Sequence, residues 1–170
     1  MSLQGKRIFI TGGSRGIGLA IALRAARDGA SVAIAAKTAE TNPKLPGTIF
    51  TAAAEIEAAG GKALPIQCDI RDEEAIATAM QQTVDAFGGL DILINNAGVE
   101  EVMPSTQVTP DLWDKIVDTN LKGAFFTTQA VGKGMLARGF GSVINLASLT
   151  SFVGVPTAVP YGSSKSGILG

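Results

Sequence analysis

Short apolar runs alternate with longer stretches of helical spacing along the whole chain. Residues 7–11 (RIFIT), 31–36 (SVAIAA), 62–69 (KALPIQCD), 91–95 (DILIN) and 142–147 (SVINLA) are rich in Ile, Val and Ala and bounded by glycine or polar residues, the pattern of strands. Between them Ile17–Asp28, Ala52–Ala59, Asp72–Phe87 and Pro110–Ala137 carry helix formers, and a last helix is expected to begin near Pro156 and to be still running at Gly170. Punctuation supports these bounds. Gly29 stands where a helix C-cap belongs, Gly88 and Gly89 close the third helix, and Thr109 precedes Pro110 as an N-cap before a first-turn proline. Residues 38–51 (TAETNPKLPGTIFT) hold Pro43, Pro46 and Gly47 and read as a loop that leaves the sheet.

Five strands alternating with helices imply an α/β fold, a doubly wound parallel sheet in three α/β/α layers, with each strand buried on both sides. At 170 residues and 46% hydrophobic content the chain is long enough for one core, and residues 1–170 read as a single domain without repeats or linkers.

Composition narrows the function. The 14 basic and 15 acidic residues give a formal net charge of -1, without the cationic excess of a nucleic-acid or membrane surface, so a small neutral or anionic ligand is the expected partner. Cys68 is the single cysteine, the amino-terminal MSLQGKRIFITGG lacks a secretory apolar core, and no run approaches the ~20 apolar residues of a membrane span. A reducing cytoplasmic compartment is the expectation. With no histidine in the chain, Ser/His/Asp hydrolysis and His-based zinc catalysis are excluded, and no metal is expected.

Between the first strand and the first helix lies TGGSRGIG, with Gly12, Gly13, Gly16 and Gly18 around Ser14, Arg15 and Ile17. Glycines allow a tight turn and a close backbone approach to a pyrophosphate, while the following helix offers unpaired N–H groups and the positive end of its dipole. A glycine turn that only packs helix on sheet is the alternative. A nucleoside triphosphate fits less well, because no Lys-Ser/Thr pair follows the last glycine. Where an NAD site carries an acidic residue after the second strand, this chain has Lys37 and Thr38. With Arg15, Lys37 would attract a 2′-phosphate, which favours NADP(H) over NAD(H); solvated surface charges are the alternative. Asp69, before Ile70 at the carboxyl end of the third strand, is placed to accept from an adenine amino group or to act as a helix N-cap. Cys68 reads as a small buried hydrophobe.

The chemistry concentrates in residues 148–165. Tyr161, the single tyrosine, and Lys165 are four apart on a helix and share one face. An unperturbed phenol titrates near ~10, and an adjacent cation favours its ionised form, so Tyr161 is the candidate general acid/base and Lys165 its tuning charge. Ser148, closing the fifth strand, is placed to hold a reacting oxygen, or else forms a turn. Trp113, Phe125 and Phe126 read as packing of the long helix, in the core or at a subunit interface.

TGGSRGIG, Asp69, NNAG at residues 95–98, Asn120, Ser148 and YGSSK at 161–165 occur in order on the expected elements, and in this the chain resembles the short-chain dehydrogenase/reductase family along essentially its whole length. Its first half is similar to the hydroxysteroid-dehydrogenase-like branch and its second half to bacterial ketoacyl and sugar reductases. The resemblance implies a Rossmann-type fold and interconversion of a carbonyl and a secondary alcohol by hydride transfer with NADP(H) or NAD(H). It further implies that Asn96, Ala97 and Gly98 line the cofactor, that Tyr161 and Lys165 also touch it, and that Asn120 bends its helix and holds a water leading to Lys165, an exposed helical Asn being the alternative. A homodimer or homotetramer is implied as well.

A non-catalytic nucleotide-binding or scaffold protein on the same fold is the rival reading. Family members continue past a sixth strand into elements that enclose substrate, whereas this chain stops at Gly170. It is therefore expected to be truncated, to leave a sheet edge and an apolar helix face uncovered, to associate, and to be weakly active at best.

Overall fold

The computed structural model describes residues 2–43 and 45–170; Met1 of the amino-terminal reading and Lys44 of the 38–51 loop lie outside them. Five strands, β1 (Arg7–Thr11), β2 (Ser31–Ala36), β3 (Lys62–Gln67), β4 (Ile92–Asn95) and β5 (Ser142–Asn145), pair in parallel in the order β3-β2-β1-β4-β5. The order reverses beside β1, so the crevice at the carboxyl ends of β1 and β4 is the topological switch point where ligands of such sheets bind.

Helices α1 (Gly16–Arg27), α2 (Ile49–Ala58), α3 (Glu73–Phe87), α4 (Pro110–Val117), α5 (Gly123–Arg138) and α6 (Val159–Gly167) flank the sheet. Alternation along β1 sends Ile8 and Ile10 to a core shared with Ala22, Ala26, Ala52 and Ile56 of α1 and α2, while Phe9 joins Ile76 and Ala79 of α3 and Val131 and Met135 of α5 on the other face. The three-layer doubly wound architecture is thus the one the hydrophobic pattern implies.

Several local expectations change. β5 is exposed at all four positions, as the edge strand of the sheet beyond β4. Trp113 and Phe125 are 39% and 60% exposed, so they are not core, and Phe126 alone of the three packs against the second core. α2 begins at Ile49, three residues before the sequence reading, because Thr48 accepts from the Thr51 N–H while the Thr51 hydroxyl accepts from the Thr48 N–H. The loop before α2 leaves the sheet after Ala36 and packs on the glycine turn, where a Cβ on Gly47 would meet the Ser14 carbonyl at 2.9 Å. α6 begins at Val159 and ends at Gly167 rather than running from Pro156 through Gly170. The long helix expected over 110–137 is interrupted by one π turn, Asp118–Lys122, between α4 and α5. Asn120 is in that turn.

At the amino edge of the sheet, Arg7 donates from its backbone N, Nε and Nη2 to the carboxylate of buried Asp91 and from Nη1 to the Gly88 carbonyl, fastening β1 to the entry of β4. These bonds hold the Asp91 carboxyl below its usual range.

Candidate active site

The glycine turn owes its shape to two close approaches. Gly12 has φ of +67°, and a Cβ there would lie 2.9 Å from the Ala97 Cα; a Cβ on Gly18 would lie 2.5 Å from the Gly12 carbonyl. Buried Thr11 ties this turn to NNAG: its hydroxyl accepts from the N–H groups of Asn96 and Ala97, both at 3.0 Å, while Asn96 Nδ2 donates to the carbonyls of Thr11 and Gly12. Asn95 Nδ2 reaches the other way, to Thr128 on α5 and Asn145 on β5. The α1 amino terminus has no side-chain cap and no acidic residue in its first turn, which leaves its N–H groups and dipole directed at an incoming anion.

A groove of about 700 Å³ runs over this edge. Gly12, Ser14, Arg15, Ile17, Gly18, Lys37, Thr38, Asp69, Ile70, Asn96, Ala97 and Gly98 all line it, and of the expected contacts on the glycine turn only Gly16 stays outside the lining. Leu45, Val99, Glu100, Lys115 and Thr119 also line it and were not foreseen. Thr119 carried a signal, being next to Asn120, whereas nothing in the spacing of Leu45 or Lys115 announces a groove wall.

Of the two cations expected at the groove, Arg15 is held by loop carbonyls and Lys37 is exposed beside Asp69. Arg15 Nη2 donates to the Gly47 carbonyl at 3.0 Å and Nη1 to that of Leu45 at 3.4 Å. Lys37 Nζ stands 3.7 Å from Asp69 Oδ2, and Arg71 clamps the same carboxylate, with Nη2 to Oδ2 at 2.6 Å. The Arg71 guanidinium, aided by Lys37, draws the Asp69 carboxyl down to about 2. Asp69 is not the N-cap of α3; Asp72 is, accepting from the N–H groups of Glu74 and Ala75. Cys68 is buried, and burial followed by its acidic neighbours pushes its thiol up to about 11, consistent with a small core side chain.

Behind the wall of the groove the polar groups are buried. Asn120 is 1% exposed and is no surface Asn: Oδ1 accepts from the Val99 N–H at 2.8 Å, and Nδ2 donates to the Val99 carbonyl at 2.9 Å and to Ser164 Oγ at 3.1 Å. Lys165, 5% exposed, donates from Nζ to the Leu146 carbonyl at 2.6 Å, and burial lowers the tendency of its ammonium to hold its proton. Nζ lies 5.9 Å from the centroid of the Tyr161 ring. Gly98 joins this cluster to the groove, since a Cβ on it would stand 3.4 Å from Asn120 Oδ1 and 3.8 Å from Lys165 Nζ.

Ser148 is three residues beyond the end of β5 rather than closing it. Its hydroxyl accepts from the Thr150 N–H at 3.2 Å and caps a 3-10 turn, Leu149–Ser151, so the turn-forming role is realised. That turn docks on α6, with Ser151 Oγ donating to the Lys165 carbonyl at 2.7 Å and Ser166 Oγ donating to the Ser151 carbonyl at 3.2 Å.

The residues fit a dinucleotide: a glycine cradle that a Cβ would fill, an open helix amino terminus, flanking cations, and a groove whose wall at Gly98 has the Lys165 ammonium behind it, although Asn120, Ser148, Tyr161 and Lys165 do not themselves line the groove. Among the described residues no His, Cys, Asp and Glu side chains gather in a metal-holding group, and no helix is long and apolar enough to cross a membrane.

Known proteins agree with this geometry. The chain is 55% identical over 127 residues to hydroxysteroid dehydrogenase-like protein 2 of Xenopus laevis, covering 75% of this chain but 30% of that protein. It superposes on a short chain dehydrogenase of Mycobacterium thermoresistibile with a TM-score of 0.90 at 44% identity, covering 98% of this chain and 60% of that one. An NAD+-bound xylitol dehydrogenase gives a TM-score of 0.90 at 31% identity, covering 99% and 63%. The chain thus spans under a third of the frog protein and less than two thirds of these solved chains. The sequence profile described as short chain dehydrogenase matches residues 6–170, and the chain belongs to that family.

Proposed function

We propose that residues 1–170 work as one dinucleotide-binding catalytic domain, an NADP(H)-dependent oxidoreductase that interconverts a small-molecule carbonyl and a secondary alcohol. The observation that carries this reading is the buried Lys165 ammonium, 5.9 Å from the ring of Tyr161 and next to Gly98 in the wall of the groove. The bound nicotinamide supplies or accepts the hydride.

Tyr161 gives its phenolic proton to the carbonyl oxygen during reduction and takes it back during oxidation. Lys165 favours the ionised phenol by its charge, and the Leu146 carbonyl holds the ammonium in place. Ser148 accepts from Thr150, which leaves its own hydroxyl proton to donate to the reacting oxygen. Asn120 fixes the wall of the groove at Val99 and the register of α6 at Ser164, and orders a water on the route to Lys165.

At the other end, the phosphates lie against the turn from Gly12 to Gly18. Arg15 and Lys37 take the 2′-phosphate, for which a carbonyl and a shared carboxylate are weak competitors. NAD(H) is the second reading, favoured by the Lys37–Asp69 pair, which already neutralises part of that charge. Exposed Trp113 and Phe125 on α4 and α5 suit a homodimer or homotetramer, and the compartment in this reading is the cytoplasm.

The test mixes the protein with NADPH or NADH and a panel of ketones and follows nicotinamide absorbance. Oxidation of NADPH with at least one ketone, faster than with NADH, is expected; cofactor binding with no turnover on any carbonyl or alcohol would favour the non-catalytic rival.

A further inference from the structure

Among the described residues Thr157 is the one non-glycine residue with a left-handed backbone, at φ of +68°. A β-branched residue is poorly suited to that region, and such backbone persists only where the surroundings over-determine it. The surroundings here are specific. The Thr157 carbonyl accepts from the Met103 N–H at 2.8 Å. Ala158 follows, 3% exposed, and its carbonyl accepts from the Gly162 N–H at 2.8 Å, so the first turn of α6 is set directly by the bend at Thr157.

Met103 belongs to the segment after NNAG, whose Val99 is held at both backbone groups by Asn120. Asn120 also donates to Ser164 Oγ, which in turn donates to the Tyr161 carbonyl at 2.7 Å. These bonds close a ring: Thr157 to Met103, along the chain to Val99, across to Asn120, on to Ser164 and back through α6. Tyr161 stands inside it, four residues after one anchor and three before the other. Without the bend at Thr157 the ring opens at the start of α6, and the helix stays held only from Ser164 onward, by Asn120, by the Leu149–Ser151 turn and by Lys165 on Leu146.

We infer that Thr157 is a positioning residue for the acid/base at Tyr161: its left-handed backbone aims the carbonyl that straps the start of α6 to the groove wall at Met103. The role belongs to the backbone, so it depends on which φ a substitute accepts and not on the hydroxyl. This inference rests on the reading of Tyr161 as the acid/base, and its test uses two readouts that need no substrate. Because Tyr161 is the single tyrosine of the chain, its ring resonances in a tyrosine-labelled sample report that side chain alone.

Thr157→Pro, which locks φ near −65°, and Thr157→Gly, which accepts positive φ freely, are compared with the parent protein. Expected for Thr157→Pro are loss of amide-exchange protection at Met103, displaced Tyr161 ring resonances, and a kcat lower by on the order of a hundredfold with nucleotide Kd unchanged. Expected for Thr157→Gly are parental protection and ring resonances, with a melting temperature equal to or above the parent's. If Thr157→Pro does not fold, Thr157→Gly decides alone, because a lower melting temperature or displaced Tyr161 ring resonances in that variant would overturn the inference. Parental protection and ring resonances in a folded Thr157→Pro would overturn it equally. Absence of turnover in the parent protein would count against the proposed activity, while the two substrate-free readouts still judge Thr157.

Discussion

The two ends of the site are built on opposite terms. At the nucleotide end Arg15 rests on loop carbonyls and Lys37 stands 3.7 Å from a carboxylate already clamped by Arg71, contacts that a ligand's phosphate can replace. Behind the groove wall at Val99, Asn120 and Lys165 are buried and bonded to backbone that belongs to the fold itself. In the proposed reading this difference separates recognition from chemistry: side chains that would exchange partners on binding remain at the surface, whereas those that would hold the proton donor are fixed before any ligand arrives.

Substitutions at the fixed end should therefore damage both fold and activity. Asn120→Ala strips partners from the Val99 N–H and carbonyl and from Ser164, and we expect a loss of about 3 kcal/mol in chemical denaturation together with a fall in kcat of on the order of a hundredfold. Loss of activity at unchanged stability would mean that the buried amide does not hold the wall.

At the exchangeable end, Arg15→Ala should leave the melting temperature nearly unchanged and weaken NADPH by about tenfold, as expected for one charge-assisted phosphate contact, with NADH affinity unaltered. Equal weakening of both nucleotides in a calorimeter would place Arg15 on the pyrophosphate and remove the basis for the NADP preference.

The smallest effect on activity is expected from Asp91→Asn, at the sheet edge opposite both ends. Arg7 depresses the folded-state pKa of this carboxyl, so its contribution is present above the unfolded value of ~4 and is lost as pH falls through the lower folded value. Asp91→Asn should cost about 1–3 kcal/mol at neutral pH, flatten the acid limb of stability against pH, and leave kcat alone. A variant with the parental acid limb would contradict the assignment.

The division also explains what the sequence made legible. Strand identities follow from periodicity and the glycine turn from a spacing dictated by backbone contact, as at Gly12 and Gly18, whereas Asn96, Ala97 and Gly98 in the groove lining are expected only from the family resemblance. What periodicity cannot carry is partner choice. Periodicity over residues 110–137 does not signal that the helix widens into a π turn at Asn120, because that turn is stabilised by Val99 and Ser164, which come from other elements; a bend at Asn120 is expected only from the family resemblance. The fold-back of the 38–48 loop onto Ser14 was hidden in the same way: prolines and a glycine mark a loop but not its destination. Strand pattern alone placed β5 among buried strands, and only the sheet order makes it an exposed edge. Ser148 was found, but its cap on the turn before Phe152 depends on where β5 stops.

The central claim is that Tyr161 moves the proton and that the groove binds nucleotide without it. Single-turnover reduction by Tyr161→Phe, with nucleotide affinity measured on the same sample, tests this most directly. We expect NADPH to bind with the parental Kd while the reduction step slows by at least about a thousandfold. Reduction at the parental rate with the phenol removed would contradict the account.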